Sequence, residues 1–533
     1  MKTTKRVLAV LLAILMLSSM LLVGCKKDEE TVSDTVATAP SDGESFETDE
    51  YGQKIYNHGI PDSLDYKEKD VNILLRNQPG NVRVYEWKVD DYQGNVLNQA
   101  IFQRNVETEE FLNVVLNFTL QDEGTANASF NQAVVTSFNA GGADIDIIST
   151  NGYYGTAPSA MDAYMNLYNS KLTYLQLENP YWNQNYINAA KYNDKMFTVI
   201  GDMTLSAYMT SFVMVFNKTM LQEVTQNENA ANDIYKMVLE GNWTFEEMKK
   251  LATNVYSDAT GNGKTNDDRF GYSSHASSHA YDGYVAAFGV DLTRVDNGGN
   301  HKLLTDSDAT RLNTYGQTLV DFYRTDDVWL ETQTPTGGYV PPVATFKEGK
   351  VLFCVAGMGD CDNHLNSTWN SEGQPSYGIL PLPKWDATAQ TSYAAGVQDS
   401  HNVIAVMYGS EKTDEDYTCI SAVLEYMNWK SYSTVRPALF EKVLKVGFSD
   451  ADDAKVFDLV LTGTDWDFAD VYGNNIVYPG TTNSIRNQCW RNQLSSAYKG
   501  NGQVAVSNAL TGMNKTTLEN TLADVDTWIK ETY

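Results

Sequence analysis

The 533-residue chain has little cysteine, histidine, proline or positive charge, and each shortage narrows what it can be. Five cysteines with no CxxC pair exclude a disulfide framework. Six scattered histidines leave one spacing, His275-Ala-Ser-Ser-His279, that would suit two metal ligands on a helix face, but YSSHASSHAY has weak helix propensity and no third ligand stands near it. With 13 prolines and 37 glycines the chain is neither collagenous nor low-complexity, and 42% hydrophobic content excludes a disordered chain. Lysine and arginine total 39 against 68 acids, a formal charge of −29. Such a surface repels phosphate backbones and anionic lipid, which excludes a nucleic-acid partner and leaves only covalent or hydrophobic membrane attachment. GxSxG, HExxH and Walker loops are absent.

What is present begins at the N-terminus. Lys2, Lys5 and Arg6 precede an apolar run from Val7 to Val23, broken only by Ser18 and Ser19, and Gly24-Cys25 follow. Basic start, apolar run and small residue before a cut describe a secretory signal peptide, the other reading being a short membrane anchor. Leu22-Val23-Gly24-Cys25 resembles the lipobox of bacterial lipoproteins, which implies that Cys25 is acylated and becomes the mature N-terminus on the outer face of the cytoplasmic membrane. Cleavage there removes three basic groups and no acid, taking the charge from −29 to −32. Residues 25–65 are polar and acidic and read as a disordered tether.

From there short apolar runs alternate with helical stretches, the rhythm of an α/β protein. Val71–Leu75 and Asp144–Ser149 read as buried strands, each followed by a polar loop: Arg76, Asn77, Gln78 and onward in one case, Thr150 to Tyr154 in the other. Stretches 94–110 and 125–140 read as amphipathic helices. Lys195–Asp202 and Ser211–Phe216 read as a strand pair, Val351–Val355 and the residues from Tyr377 as strands, and Asp414–Asn428 as a helix. Thr244 is placed to cap the helix opened by Phe245. Cys354 and Cys361 are close enough in sequence to pair, or lie apart as buried thiols.

In this order, RNVETEEF…NVVLNF, FNQAVVTSFNAGGADIDIIS, MFTVIGD, SFVMVFNKTM, WTFEEMKKLA, FKEGKVLFCVAG, YGILPLPKW and SEKTDEDYTCISAVLEYMN resemble the extracellular solute-binding proteins of ABC importers, the family that includes maltose-binding protein. The resemblance covers about residues 68–430. It implies a type II two-lobed fold with a hinge, lobe 1 taking about 66–208 plus 396–455 and lobe 2 about 209–395 plus 456–533. It also implies a non-enzymatic, monomeric protein that delivers solute to an ABC permease and needs no cofactor. Ligands of such sheets bind beyond the carboxyl ends of the strands.

Neutral sugars need aromatic platforms for the ring face and fixed carboxylates or amides for the hydroxyl rim. The candidates are Asn77 and Gln78 past the first strand, Tyr153 and Tyr154 past the DIDIIS strand, Asp202 and Tyr208 at the expected crossover, and Asp360 after FCVAGMG. Relatives carry a tryptophan near that last stretch; here the nearest is Trp369. Arg76, Arg83 and Arg104 are the cations nearest the first-strand loops that could meet an anionic solute. Asp258, Thr260, Asn262, Lys264, Asn266 and Asp268 resemble an EF-hand-like structural calcium loop with Gly263 at the turn position, although Arg269 stands where a bidentate glutamate is usual. Carbohydrate, most simply an oligosaccharide, is the expected ligand. A secreted carbohydrate-active hydrolase, a peptide-binding protein and a receptor-feeding sensor remain the alternatives.

Overall fold

The computed structural model describes residues 56–77, 86–89, 95–337, 340–365, 376–439, 451–473, 475, 484–500, 502–511 and 513–532. The lipobox with Cys25, the tether up to residue 55, Gln78, Arg83 and Trp369 lie outside them. No helix among the described residues is long and apolar enough to cross a membrane.

Nine strands build two large sheets and four more make two small pairs among the described residues. In the first sheet β1 (Lys69–Asn77) runs parallel to β2 (Val114–Asp122), with Lys69 opposite Val114 and Asn77 opposite Asp122. On its other side β1 runs parallel to β3 (Ile147–Asn151), which takes the antiparallel edge strand β12 (Asn402–Val406). The second sheet is built from β4 (Phe212–Asn217), β5 (Phe270–His275), β8 (Val328–Glu331), β9 (Val351–Gly357) and β10 (Tyr377–Leu380), in the order β10-β4-β9-β5-β8. The hairpin β6 (Thr293–Val295) with β7 (His301–Leu303), and the short parallel pair of β11 (Ala395–Gly396) with β13 (Thr464–Asp465), lie outside both sheets.

The sequence explains the layering. Every residue of β4, β9 and β12 is buried, as expected for strands covered on both faces, and their apolar runs are continuous rather than alternating. Helices supply the cover. Val96–Leu112 is capped by Asn95, whose side chain accepts from Leu97 and Asn98 N–H, and Asp414–Lys430 by Thr413 in a reciprocal box with Asp416. Thr244 Oγ1 caps Phe245–Ala252 by accepting from Glu247 N.

Two expectations shift. The third strand begins at Ile147 rather than Asp144, because Asp146 is engaged sideways: it accepts from Asn72 N at 2.7 Å and pairs with Lys412. Lys195–Asp202 and Ser211–Phe216 do not pair with each other. The first stretch bridges the first sheet, Val199 opposite Ile404, while β4 enters the second sheet. Between them the helix Leu205–Met209 carries the chain across. The return crossover runs beside it, Gln398 N donating to Thr210 O at 3.0 Å and Ser211 bridging Val397.

One apolar core runs without interruption through both sheets, from Ile73 and Ile147 to Phe212, Tyr272 and Trp490. Cys354 Sγ points at Pro342 O (3.3 Å) and Cys361 Sγ at Gly357 O (3.5 Å), not at each other, so the contemplated disulfide does not form.

Candidate functional site

The carboxyl end of β3 and the amino end of β12 face the same way, which brings Asn151 and the crossover residues Gln398–His401 together. Asn151 Oδ1 accepts from both Tyr153 N and Tyr154 N at 2.8 Å, a local turn that presents the two tyrosines edge to face, centroids 4.8 Å apart. Gly152 is required there, since a Cβ would lie 2.4 Å from the His401 ring nitrogen Nε2. His401 Nδ1 lies 2.9 Å from Gln398 O, and its Nε2 accepts from Trp466 Nε1 at 3.3 Å. A carbonyl at one nitrogen and an N–H at the other hold the ring in place.

The second sheet contributes the opposite wall. The chain leaves β5 and reaches Asp282, on which Arg491 lies bidentate, Nε to Oδ1 at 2.8 Å with Nη2 on Oδ2. Arg491 closes a π-helical turn, Asn487–Arg491, anchored by Trp490 Nε1 donating to Tyr281 O at 2.8 Å. Arg486 Nη2 pairs with Asp470 Oδ2. Burial lowers the Arg486 pKa; the Asp282 carboxylate holds that of Arg491 above its ordinary value although burial opposes it. Burial pushes the Tyr153 phenol up to about 12.

These groups enclose one pocket, lined by Tyr153, Asp282, Val397, Asp399, His401, Trp466, Asp470, Ser484, Arg486, Asn487 and Arg491. Its free space is about 20 Å³, room for one water but not a sugar ring. Chemically it offers aromatic edges, fixed carboxylates and fixed guanidiniums around a small void. A larger cavity of about 340 Å³ lies at the opposite, amino end of β1, between Lys69 and Lys412, and carries no aromatic side chain.

Of the residues named from sequence, Tyr153 lines the pocket and Tyr154, 36% exposed, packs on its ring. The others lie elsewhere. Asn77 donates to Asp122 Oδ1 at 2.7 Å across the β1–β2 edge. Asp202 and Tyr208 are brought together, but inside: the Tyr208 hydroxyl donates to Asp202, and Arg436 reaches Asp202 at 3.5 Å and Asp458 at 3.2 Å, with Asp202 only 2% exposed. Asp360 accepts from Gly357 N at 3.1 Å and faces His279 Nε2 at 3.3 Å, while Ser277 Oγ stands 2.9 Å from His275 Nδ1 and 3.4 Å from His279 Nδ1. Arg76 and Arg104 are buried at 1% and 0% exposure and serve internal partners. Arg76 binds Glu123, Ser400 O and Asn402; Arg104 binds the carbonyls of Glu86 and Trp87. Neither is placed to meet an anionic solute.

The calcium-like loop is held by its own amides. Asp258 accepts from Thr260, Gly261 and Gly263 N–H, and Asp268 from Ala259 and Thr265 N–H. Lys264 reaches Thr325 O at 2.8 Å, and Arg269 pairs with Glu223 at 3.0 Å. Among the described residues no group of three or more His, Cys, Asp or Glu side chains is arranged to hold a metal, here or at His275 and His279.

Sequence reasoning missed Asp282, Asp399, His401, Trp466, Asp470, Arg486 and Arg491. Three signals were present: Asp399 and His401 sit in the expected crossover, Asp282 closes the histidine-rich stretch, and Trp466-Asp467 opens with an N-cap. The arginines had none, because a π-helical turn has no sequence signature.

No family model and no curated protein matches the chain. Solved structures do. The sugar-binding protein MalE from Xanthomonas citri aligns with a TM-score of 0.53 at 12% identity, over 87% of this chain and 100% of that one. The ABC substrate-binding protein Lmo0181 from Listeria monocytogenes, in complex with cycloalternan, aligns at 0.46 and 14% identity over 87% and 99%. Maltose-bound MalE3 of T. maritima aligns at 0.43 and 13% over 86% and 99%. Only the first score carries weight, and at that identity it speaks of fold alone. Two mixed sheets joined by paired crossovers, and this likeness over the whole of the Xanthomonas chain, give the protein the two-lobed α/β fold of the maltose-binding-protein-like solute-binding proteins.

Proposed function

We propose that this chain is an extracellular solute-binding protein, anchored by lipid at Cys25, that captures a carbohydrate between its lobes and delivers it to an ABC permease without chemical change. The observation that carries this reading is the pocket between the carboxyl end of β3, the return crossover and the Asp282–Arg491 wall. Tyr153, Tyr154 and Trp466 supply ring faces and edges; Asp282, Asp399, Asp470 and the two arginines supply rigid partners for hydroxyls. Because the void holds only a water, capture requires the lobes to part and close again, the hinge motion open to two bodies joined by paired crossovers. The Xanthomonas citri protein is described as sugar-binding, which agrees with the reading, and an oligosaccharide is the size class proposed.

The test is a thermal-shift screen of neutral sugars, peptides and polyamines. A ligand at a hundredfold excess over Kd adds about 2.7 kcal/mol of stability. A shift with sugars supports the reading; a shift with peptides alone replaces it. For the anchor, Cys25→Ala is expected to release the protein from the membrane fraction, and retention of an uncleaved chain would instead show a membrane-spanning N-terminus.

A further inference from the structure

The pocket holds two arginine–aspartate pairs, and they are not equally complete. On Asp282 the guanidinium of Arg491 lies as a full fork, Nε on Oδ1 and Nη2 on Oδ2. Arg486 makes half of that geometry with Asp470. Its Nη2 reaches Oδ2, while its Nε, a buried donor, meets no acceptor among the described residues. Arg486 is only 9% exposed, and an N–H left unmade at that depth is costly unless an incoming group satisfies it. Asp470 takes both of its contacts on Oδ2, the second from Asp467 N at 2.9 Å, which leaves Oδ1 outside both. Both side chains line the void, which at about 20 Å³ has room for one oxygen atom with its hydrogens. A group entering there meets a charged N–H that needs an acceptor and a carboxylate oxygen that needs a donor. A hydroxyl is both at once. An ammonium only donates and a carboxylate only accepts.

Resting on the carbohydrate reading above, we infer that the unfinished Arg486–Asp470 fork is the subsite for one neutral hydroxyl of the sugar, which accepts from Arg486 Nε–H and donates to Asp470 Oδ1. The Asp282–Arg491 fork, complete in itself, is the rigid support of that subsite. Arg486 caps the π-helical turn that Arg491 closes, and Trp490 in the same turn is tied to Tyr281 O, one residue before Asp282. Selectivity follows from the pair. Exchange of that hydroxyl for hydrogen, a protonated amine or a carboxylate leaves at least one of the two partners unmet in the bound state.

The experiment is calorimetric titration of the full chain in detergent with the α-1,4- and β-1,4-linked glucose trimers, followed by the single-deoxy forms of whichever binds more tightly. One deoxy position is expected to lose more than about tenfold in affinity, because a site built to hydrogen-bond a hydroxyl discriminates strongly against its absence. Arg486→Lys keeps a cation for Asp470 and removes the Nε–H. The variant is expected to weaken the parent trimer by more than about tenfold and to bind the sensitive deoxy trimer within about threefold of the parent, the coupling that a shared contact requires. Damage to packing alone would weaken both trimers and keep the ratio between them. Binding of every deoxy trimer to the wild-type protein within about threefold of the parent overturns the inference, a readout that does not depend on the variant folding. Full discrimination retained in folded Arg486→Lys also overturns it, and leaves the carbohydrate reading intact. Binding of neither glucose trimer overturns the carbohydrate reading itself, and the inference with it.

Discussion

Two clusters in this molecule use the same three side chains and are built for different ends. In one, Asp399, Tyr153 and Arg491 surround a small void. In the other, Asp202, Tyr208 and Arg436 meet buried from solvent. Both arginines are presented by π-helical turns, Asn487–Arg491 in the first and Ser431–Val435 just before Arg436 in the second. The difference lies in exposure. Asp202 receives a phenol and a guanidinium, Tyr208 and Arg436 hold one another through it, and the second nitrogen of Arg436 finds Asp458. In the open cluster Arg491 is fixed by Asp282, and Asp399 and Tyr154 are only partly buried. The same three residue types make an internal pin where they are closed off from solvent and line a pocket where they stay partly exposed.

The largest effect should come from breaking the pin. Arg436→Met removes the cation from a carboxylate that is 2% exposed, and leaving a buried charge unpaired costs about 3–5 kcal/mol. Denaturant titration measures it; a loss below 1 kcal/mol would mean that the cluster does not hold the crossover.

Next comes the open cluster, where stability and binding should separate. Tyr154→Ala, at a 36% exposed position, is expected to change stability by less than about 1 kcal/mol while weakening sugar binding more than tenfold. Loss of both in proportion would make Tyr154 a packing residue. Asp360→Ala should do the reverse, costing roughly 1 kcal/mol through the lost helix cap with affinity little changed.

A third contrast is in pH. Burial pushes the Glu86 carboxyl up to about 7, although Ser206 N and Asn402 Nδ2 donate to it. Folding therefore favours its protonated form. Its contribution is complete below the ordinary glutamate range near pH 4.5 and is lost as the pH rises toward 7, at about 1.4 kcal/mol per pH unit. Glu425, also raised to about 7 by burial, acts in the same direction. His58 and His275, lowered by burial, act oppositely below about pH 6.5. Comparing wild type with Glu86→Gln isolates the first: the variant's stability should fall less steeply between pH 4.5 and 7, and parallel profiles would deny that Glu86 is protonated in the fold.

The smallest effect expected is that of a chelator. Asp258 and Asp268 serve backbone amides, so EDTA is expected to leave the melting temperature unchanged, and a fall of several degrees would place calcium in that loop.

The two clusters also mark how far the sequence could be read. Strands such as Val351–Gly357 and Phe212–Asn217 announce themselves because both faces are buried and their apolar runs are unbroken. Helices such as Asp414–Lys430 carry their caps in the sequence. Tyr153 and Tyr154 were legible because a strand ending in Asn-Gly leads straight to them. Asp202 and Tyr208 were visible as a pair, but nothing local reveals that Arg436, more than two hundred residues on, turns them inward. Arg491 and Asp282 lie 209 positions apart, and the family pattern fades near residue 430, so the wall they form belongs to tertiary structure alone.

The pocket between Tyr153 and Arg491 is where a sugar is expected to be held. Titration of an oligosaccharide into wild type, Tyr154→Ala and Arg436→Met tests this most directly, with each protein's fold verified by its melting curve. The expected result is that Tyr154→Ala loses more than tenfold in affinity at nearly wild-type stability, while Arg436→Met, studied below its lowered melting point, binds within threefold of wild type. Wild-type affinity in Tyr154→Ala, with binding lost in a folded Arg436→Met, would place the ligand at the other cluster and contradict the account.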